Sequence, residues 1–193
     1  MKTPLLHTTK GRERIIVALN WDERERATLM DTLKRTNKQH DLDLACFVYN
    51  KNGEYIDFVG SMAQDNMDQT GCIYHSGDDS GGAGGLDDEY ISVELADLPY
   101  DTTDLVFVGE IRSDHTFKQI ANPSFRIADG ASNKELHREP MVQGGKGGDS
   151  QACVLAHIYR DAGSETGWSL HIIDQYPKLD DVSDWGGYLT RYL

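Results

Sequence analysis

The sequence predicts an all-β protein, an antiparallel β-sandwich of two sheets with short peripheral helices, formed as a single domain over residues 1–193. Short β-branched and aromatic runs recur along the chain, cut by Gly, Asn and Asp turn signals, which is the pattern of a sandwich or barrel. The runs come at fairly regular spacing. The length lies within the roughly 100–200 residues over which one domain buries a full core without disulfides or an oligomer partner.

In chain order the predicted strands are 14–19, 42–49, 55–59, 71–75, 89–95, 104–111, 124–128, 135–138, 152–159 and 168–176. Runs 42–49 and 55–59 are joined by Asn50-Lys51-Asn52-Gly53-Glu54, whose Asn-Gly favours a positive-φ turn, so the two form a hairpin. Two segments depart from the strand pattern. Segment 23–38 sets Ala27, Leu29, Met30 and Leu33 among charges, which suits a short amphipathic insertion or a solvated loop. Segment 180–193 ends in Trp185, Tyr188, Leu189 and Tyr192, with the last three at offsets of 3, 4 and 7 from the first. That spacing predicts a terminal helix packed on the sandwich despite Gly186-Gly187. Residues 143–150 are glycine-rich but lack the Gly-x4-Gly-Lys-Ser/Thr order of a phosphate loop, and read as a flexible connector.

Composition narrows the function. The chain carries 19 Lys plus Arg against 32 Asp plus Glu, a net charge of −13. Phosphate-backbone affinity needs clustered cations, so nucleic acid is not an expected partner, and anionic membrane surfaces are disfavoured for the same reason. No apolar run approaches the ~20 residues that span a bilayer, and the amino terminus lacks an apolar signal core, so the expected location is the cytoplasm with no membrane span. Cys46, Cys72 and Cys153 form no C-x-x-C pair and lie in apolar segments, the setting of buried, inert thiols.

The most informative feature is where the charge sits. Between residues 52 and 111 there are 14 Asp plus Glu and no Lys or Arg. Carboxylates this dense repel one another unless they are solvated or neutralised from elsewhere, and a bound cation is one such neutraliser. The density peaks at 77–89, where acids bracket five glycines between two strand-like runs. Ca²⁺ takes about six to eight oxygens from carboxylates and carbonyls, so a loop must curl tightly around it, and glycine permits that curl. Asp41 and Asp43 open a strand at alternate positions, so both carboxylates point to one side. Oxygen donors without a Cys or His pair suit Ca²⁺ or Mg²⁺ better than zinc. A solvated acidic hairpin loop satisfies the same composition.

Other chemistries fit less well. Counting Asp78 as position 1 of an EF-hand puts Glu89 at position 12, but position 6 is Ala83 where that turn needs Gly. Asp79-Ser80-Gly81-Gly82 is similar to a serine-protease nucleophile segment, yet no motif supplies the other triad members. A glycosidase-type carboxylate pair requires distances that composition does not give. The histidines form no H-x-x-x-H spacing and read as packed or hydrogen-bonded groups, with His40 and His75 placed beside the acid clusters to brace ligands.

At these residues the chain resembles the TerD family of bacterial tellurium-resistance and stress proteins, from about residue 14 to 176. The carriers are Leu19-Asn20-Trp21-Asp22, Asp41-Leu42-Asp43, His75-Ser76-Gly77-Asp78-Asp79, Asp87-Asp88-Glu89-x-Ile91-x-Val93-x-Leu95 and Phe117-x-x-Ile120-x-Asn122 followed by Phe125-Arg126-Ile127. The resemblance implies a two-sheet sandwich that binds Ca²⁺ through Asp41, Asp43, Asp78, Asp79, Asp87, Asp88 and Glu89. It also implies a non-enzymatic cytoplasmic stress role, with other proteins of a tellurium-resistance or stress system as partners. Asp79 stands where the family has Asn, and Asp174-Gln175-Tyr176-Pro177 replaces a glycine-bearing motif, which marks a divergent member. The competing classes are a metal-free acidic module that meets a basic partner and a metal-assisted hydrolase.

Overall fold

The computed structural model describes residues 6–22, 41–77, 87–113, 115–142 and 147–193. The strands are β1 (Arg14–Asp22), β2 (Leu42–Asn50), β3 (Tyr55–Val59), β4 (Ile73–His75), β5 (Glu89–Glu94), β6 (Thr102–Ile111), β7 (Ala121–Asp129), β8 (Glu135–Pro140), β9 (Ala152–Arg160) and β10 (Trp168–Gln175). They form two antiparallel five-stranded sheets, in the orders β4-β5-β1-β7-β8 and β10-β9-β6-β2-β3. The expected all-β sandwich is therefore present, and each predicted strand has its counterpart. The segment 23–38 and residues 143–146 of the glycine-rich connector lie outside the described residues.

Side-chain alternation decides which face each strand buries. Ile15, Val17, Leu19 and Trp21 of β1, Ile91 and Val93 of β5, and Phe125 and Ile127 of β7 enter the core between the sheets. Leu42, Leu44, Cys46 and Val48 of β2 meet them from the other sheet, with Leu105 and Phe107 of β6 and Leu155 of β9. Cys46, Cys72 and Cys153 are buried and form no disulfide with one another. Burial pushes the Cys46 thiol well above its ordinary value, which keeps it inert.

The β2–β3 hairpin turns where the Asn-Gly pair predicts. Gly53 sits at φ +73 and donates to the Asn50 carbonyl (2.8 Å), while Asn50 Oδ1 accepts from the Asn52 and Glu54 amides (2.9 and 3.1 Å). The second sheet is apolar on its outer face too. There Phe47, Tyr49, Val106, Val108, Val154 and Ile173 pack under Leu189, with Trp185, Tyr188 and Tyr192 around them.

The carboxy-terminal cover is α1 (Trp185–Leu189), continued by a 3-10 turn at Thr190–Tyr192. Its apolar face is the one the 3, 4 and 7 offsets predict, and the helix is short because Gly186-Gly187 weakens it. Asp184 caps it by accepting the Gly187 amide (2.6 Å). Gly186 packs closely: a Cβ there would stand 3.0 Å from the Tyr55 ring, which would have to shift. Tyr49 Oη donates to the Gly186 carbonyl (2.7 Å), Trp185 Nε1 to Glu110 (3.0 Å) and Tyr192 Oη to Gln175 (3.0 Å), so three polar ties fix the cover.

Asp129 closes the other sheet at the β7–β8 turn. Its carboxylate accepts from the Thr9 amide (3.1 Å) and hydroxyl (2.6 Å), from the Ser132 amide (3.1 Å) and from the Ser132 hydroxyl. Burial works to raise its pKa, but the hydrogen bonds from Ser132 and Thr9 together outweigh burial and hold it at about 2. A depressed carboxyl contributes stability above its unfolded pKa of about 3.9 and loses it as pH falls toward the folded value. Urea unfolding across that acid window should show the wild type losing stability between about pH 4 and 2. Asp129→Ala should be less stable near neutrality by about 1–3 kcal/mol and lose correspondingly less on acidification. Parallel acid limbs for the two proteins would exclude this role.

Candidate functional site

One end of the sandwich gathers the acids. The start of β5 lies beside the end of β1 through the register Leu19↔Glu89, and the start of β2 lies beside the end of β6 through Leu42↔Ile111 and Asp43↔Glu110. Asp41, Asp43, Asp87, Asp88 and Glu89 are thereby brought to the same end. Asp78 and Asp79, with residues 80–86 of the glycine-rich segment, lie outside the described residues.

Glu89 shares its inward face with Ile91 and Val93, so its side chain enters the space between the sheets and is fully buried. There Glu89 Oε2 accepts the Leu44 amide of β2 (3.0 Å), a direct link from one sheet to the other. His75 is cross-strand to Ile91 and faces the same way, placing Nε2 3.3 Å from Glu89 Oε2. His75 Nδ1 accepts the Gly77 amide (3.0 Å), so Nε2 carries the hydrogen and presents it to the carboxylate. Burial raises the Glu89 pKa, opposed by the neighbouring His75 and by the Leu44 amide.

The neighbouring acids have different tasks. Asp88 Oδ2 accepts the Trp21 amide (2.8 Å) while its own amide donates to the Leu19 carbonyl (3.1 Å), which locks the strand end to β1. Asp87 places both oxygens on Arg126, at 2.5 Å from Nε and 2.5 Å from Nη2. Arg126 is 2% exposed, and its hydrogen bonds with Asp87, outweighing desolvation, raise its pKa. Asp43 points to the outer face of the second sheet and pairs with Arg112 Nε (2.7 Å), whose Nη1 is 3.3 Å from Glu110. Burial opposes the Arg112 charge, but Glu110 and Asp43 more than offset that and raise its pKa. Asp41 accepts the Arg112 amide through its carbonyl (3.0 Å).

The two arginines are the groups that sequence reasoning missed. Both lie beyond the cation-free stretch and pair with acids inside it, Arg112 with Glu110 and Arg126 with Asp87, while Arg112 also pairs with Asp43 before it. The signal for Arg126 was its place between Phe125 and Ile127, both inward, which turns its guanidinium to the outer face beside Ala18.

Among the described residues no three His, Cys, Asp or Glu side chains stand close enough to hold an ion by themselves. The donors at this end are carboxylate and carbonyl oxygens, which fit a hard divalent cation rather than zinc or copper. Asp43, Asp87 and Glu89 are engaged with Arg112, Arg126 and the His75–Leu44 pair, so they brace the site. Asp22 and Asp41 adjoin segment 23–40, and Asp87, followed by Asp88, adjoins segment 78–86, both outside the described residues. Also among the described residues, no helix is long and apolar enough to cross a membrane.

Comparison with known proteins gives a consistent picture. A family model described as the TerD domain matches residues 1–178. The tellurium resistance protein TerZ of Serratia marcescens is 31% identical over 146 residues, covering 76% of this chain and 72% of that protein. General stress protein 16U of Bacillus subtilis (strain 168) is 29% identical, covering 84% and 81%. Among solved structures, a homologue of the telluride resistance protein (TerD) from Streptomyces coelicolor A3(2) superposes with a TM-score of 0.68 at 20% identity. The match covers 92% of this chain and 94% of that one, and supports the fold.

If Glu89 bridges the sheets, Glu89→Ala strands the Leu44 amide and His75, and should cost on the order of 3 kcal/mol in denaturant unfolding with chelator present. Glu89→Gln keeps an acceptor for the Leu44 amide and should cost clearly less. A Glu89→Ala protein within about 0.5 kcal/mol of wild type would refute the bridge.

Proposed function

Because the chain belongs to the TerD domain family, we propose that it is a calcium-binding, non-catalytic stress-response protein acting in the cytoplasm as a single domain. The reading rests on one observation above the others. The acidic, glycine-rich segment 77–89 closes on Asp88 and Glu89, and Asp88 is clamped to the Trp21 amide at the sandwich end where Asp41 precedes β2. An ion held there ties the loop to both sheets. Asp41, Asp78, Asp79 and Asp88 supply its carboxylates, while Asp43, Asp87 and Glu89 hold the surrounding backbone through Arg112, Arg126 and His75.

The consequence is electrostatic and mechanical rather than catalytic. Calcium supplies positive charge to acids that otherwise repel, and the loop then adopts one shape in place of many. The relatives named above are resistance or stress proteins. A loop ordered by an ion and presented to other proteins of such a system is the form of action this reading gives the chain.

Thermal unfolding of chelator-stripped protein at fixed ionic strength tests the reading. Calcium at about 100 times Kd should stabilise by about 2.7 kcal/mol, a rise of roughly 5–10 °C for a chain of this size, with magnesium giving much less. Asp78→Asn with Asp79→Asn should abolish the rise while melting like wild type in chelator. Asp87→Asn should lower the melting temperature with or without calcium, because it strips Arg126 of its partner. No rise with either ion in the wild type would overturn the assignment.

A further inference from the structure

Exposed apolar side chains are unevenly distributed. Among the described residues the large hydrophobics open to solvent are Tyr55, Ile56, Met62, Met67, Tyr100 and Leu193. All but Leu193 fall between 52 and 111, the stretch with no Lys or Arg. Apolar and anionic surface therefore coincide, although an acidic solvated face has no need of exposed methionines.

The coincidence has a shape. Beside β3, the edge strand of the second sheet, a groove of about 210 Å³ is lined by Asp43, Ala45, Phe58, Met62, Asp65 and Arg112. A tight turn builds its rim: the Gly60 amide donates to the Asp65 carbonyl (2.8 Å) and the Asp65 amide to the Met62 carbonyl (2.9 Å). The turn brings the Met62 side chain, 59% exposed, and Asp65 to the groove that Phe58 also lines. Arg112 is already shared by Asp43 and Glu110, whereas the Asp65 carboxylate has no hydrogen-bond or ion-pair partner among the described residues. Tyr55 and Ile56, 48% and 41% exposed, continue the apolar surface along β3.

We infer that this groove is a docking site for a protein segment that presents a Lys or Arg side chain flanked by apolar ones. The cation is drawn to the Asp65 carboxylate in a groove that Phe58 also lines. The apolar neighbours settle on Met62 and Ile56, and an unbranched thioether adapts to partners of different shape. A second copy of this chain is a poor occupant because two molecules of charge −13 repel. A nucleic acid is excluded by the same sign. The groove shares Asp43 and Arg112 with the acidic end but none of the proposed ligands Asp41, Asp78, Asp79 and Asp88, so its fate does not decide that reading.

A short fluorescein-labelled peptide of alternating Lys and Leu is the probe, with a Lys and Ser peptide of equal charge as control, followed by anisotropy in chelator and again in calcium. The Lys/Leu peptide should bind in both, weaken with added salt, and exceed the control by about tenfold or more. Asp65→Lys and Met62→Ser should each weaken it, the former by about tenfold, with unfolding temperatures unchanged because both side chains sit on a surface turn. In methionine-methyl NMR the Met62 signal should move and that of Met141, fully buried, should stay. Equal binding of the two peptides, indifference to Asp65→Lys, a requirement for calcium, or peptide-free self-association that Asp65→Lys removes would each overturn the proposal.

Discussion

A single buried carboxylate sets the geometry of the acidic end. Glu89 occupies an inward position where β5 would otherwise place an apolar residue, as it does at Ile91 and Val93. Burying that acid is unfavourable unless its oxygens are satisfied. The Leu44 amide and His75 both approach Oε2, and they belong to different sheets. The start of β5 is thereby held against the start of β2, and Asp87 and Asp88 are carried to their partners on β7 and β1 as neighbours of Glu89. A hydrophobic residue at 89 would pack the same end without a fixed orientation.

The electrostatics follow from topology more than from local sequence. A stretch of acids without cations invites the inference that something outside the chain neutralises it. In the folded molecule part of the neutralisation comes from Arg112 and Arg126, which close on Asp43 and Asp87 across separations of 69 and 39 residues. The Asp87–Arg126 pair is bidentate and largely buried, where a pair has structural weight. The Asp43–Arg112 pair is half exposed on the guanidinium side and contributes little to stability, so its main effect is to orient the groove beside β3. A counter-ion is thus needed for fewer carboxylates than the bare count of acids suggests.

The fold was readable because its signals are local. The β-branched run Ile15-Ile16-Val17, the Asn-Gly turn at Gly53 and the spacing of Trp185, Tyr188 and Leu189 each act within a few residues, and each fold element appeared where they point. The candidate site was legible only in part. The sequence located the acids at one end, since strand starts and ends are local features. It did not separate bracing from binding, because that depends on long-range partners: Glu89 on Leu44, Asp88 on the Trp21 amide, Asp87 on Arg126. One clue was available. Glu89 falls in phase with Ile91, Val93 and Leu95, and an acid in phase with core residues is buried rather than presented to a loop ion.

The two sheets treat their outer faces differently, and this shapes what each side can do. On the first sheet Arg126, Ser92 and Tyr90 alternate with the core residues, so that face is polar and closed by hydrogen bonds and ion pairs such as Arg14 to Ser92 and Glu94. On the second sheet the outward set is Ala45, Phe47, Tyr49, Val106 and Val108, which water would leave unsolvated. The carboxy-terminal cover buries most of it and meets β3 at Tyr55, against whose ring Gly186 lies. The uncovered remainder, from Tyr55 and Ile56 to Phe58 and Met62, is the apolar surface that borders the groove. A cover fitted by three polar ties and one close glycine contact thus borders the part of the second sheet that stays open, and the cation-free stretch of chain that lines this opening gives it its charge.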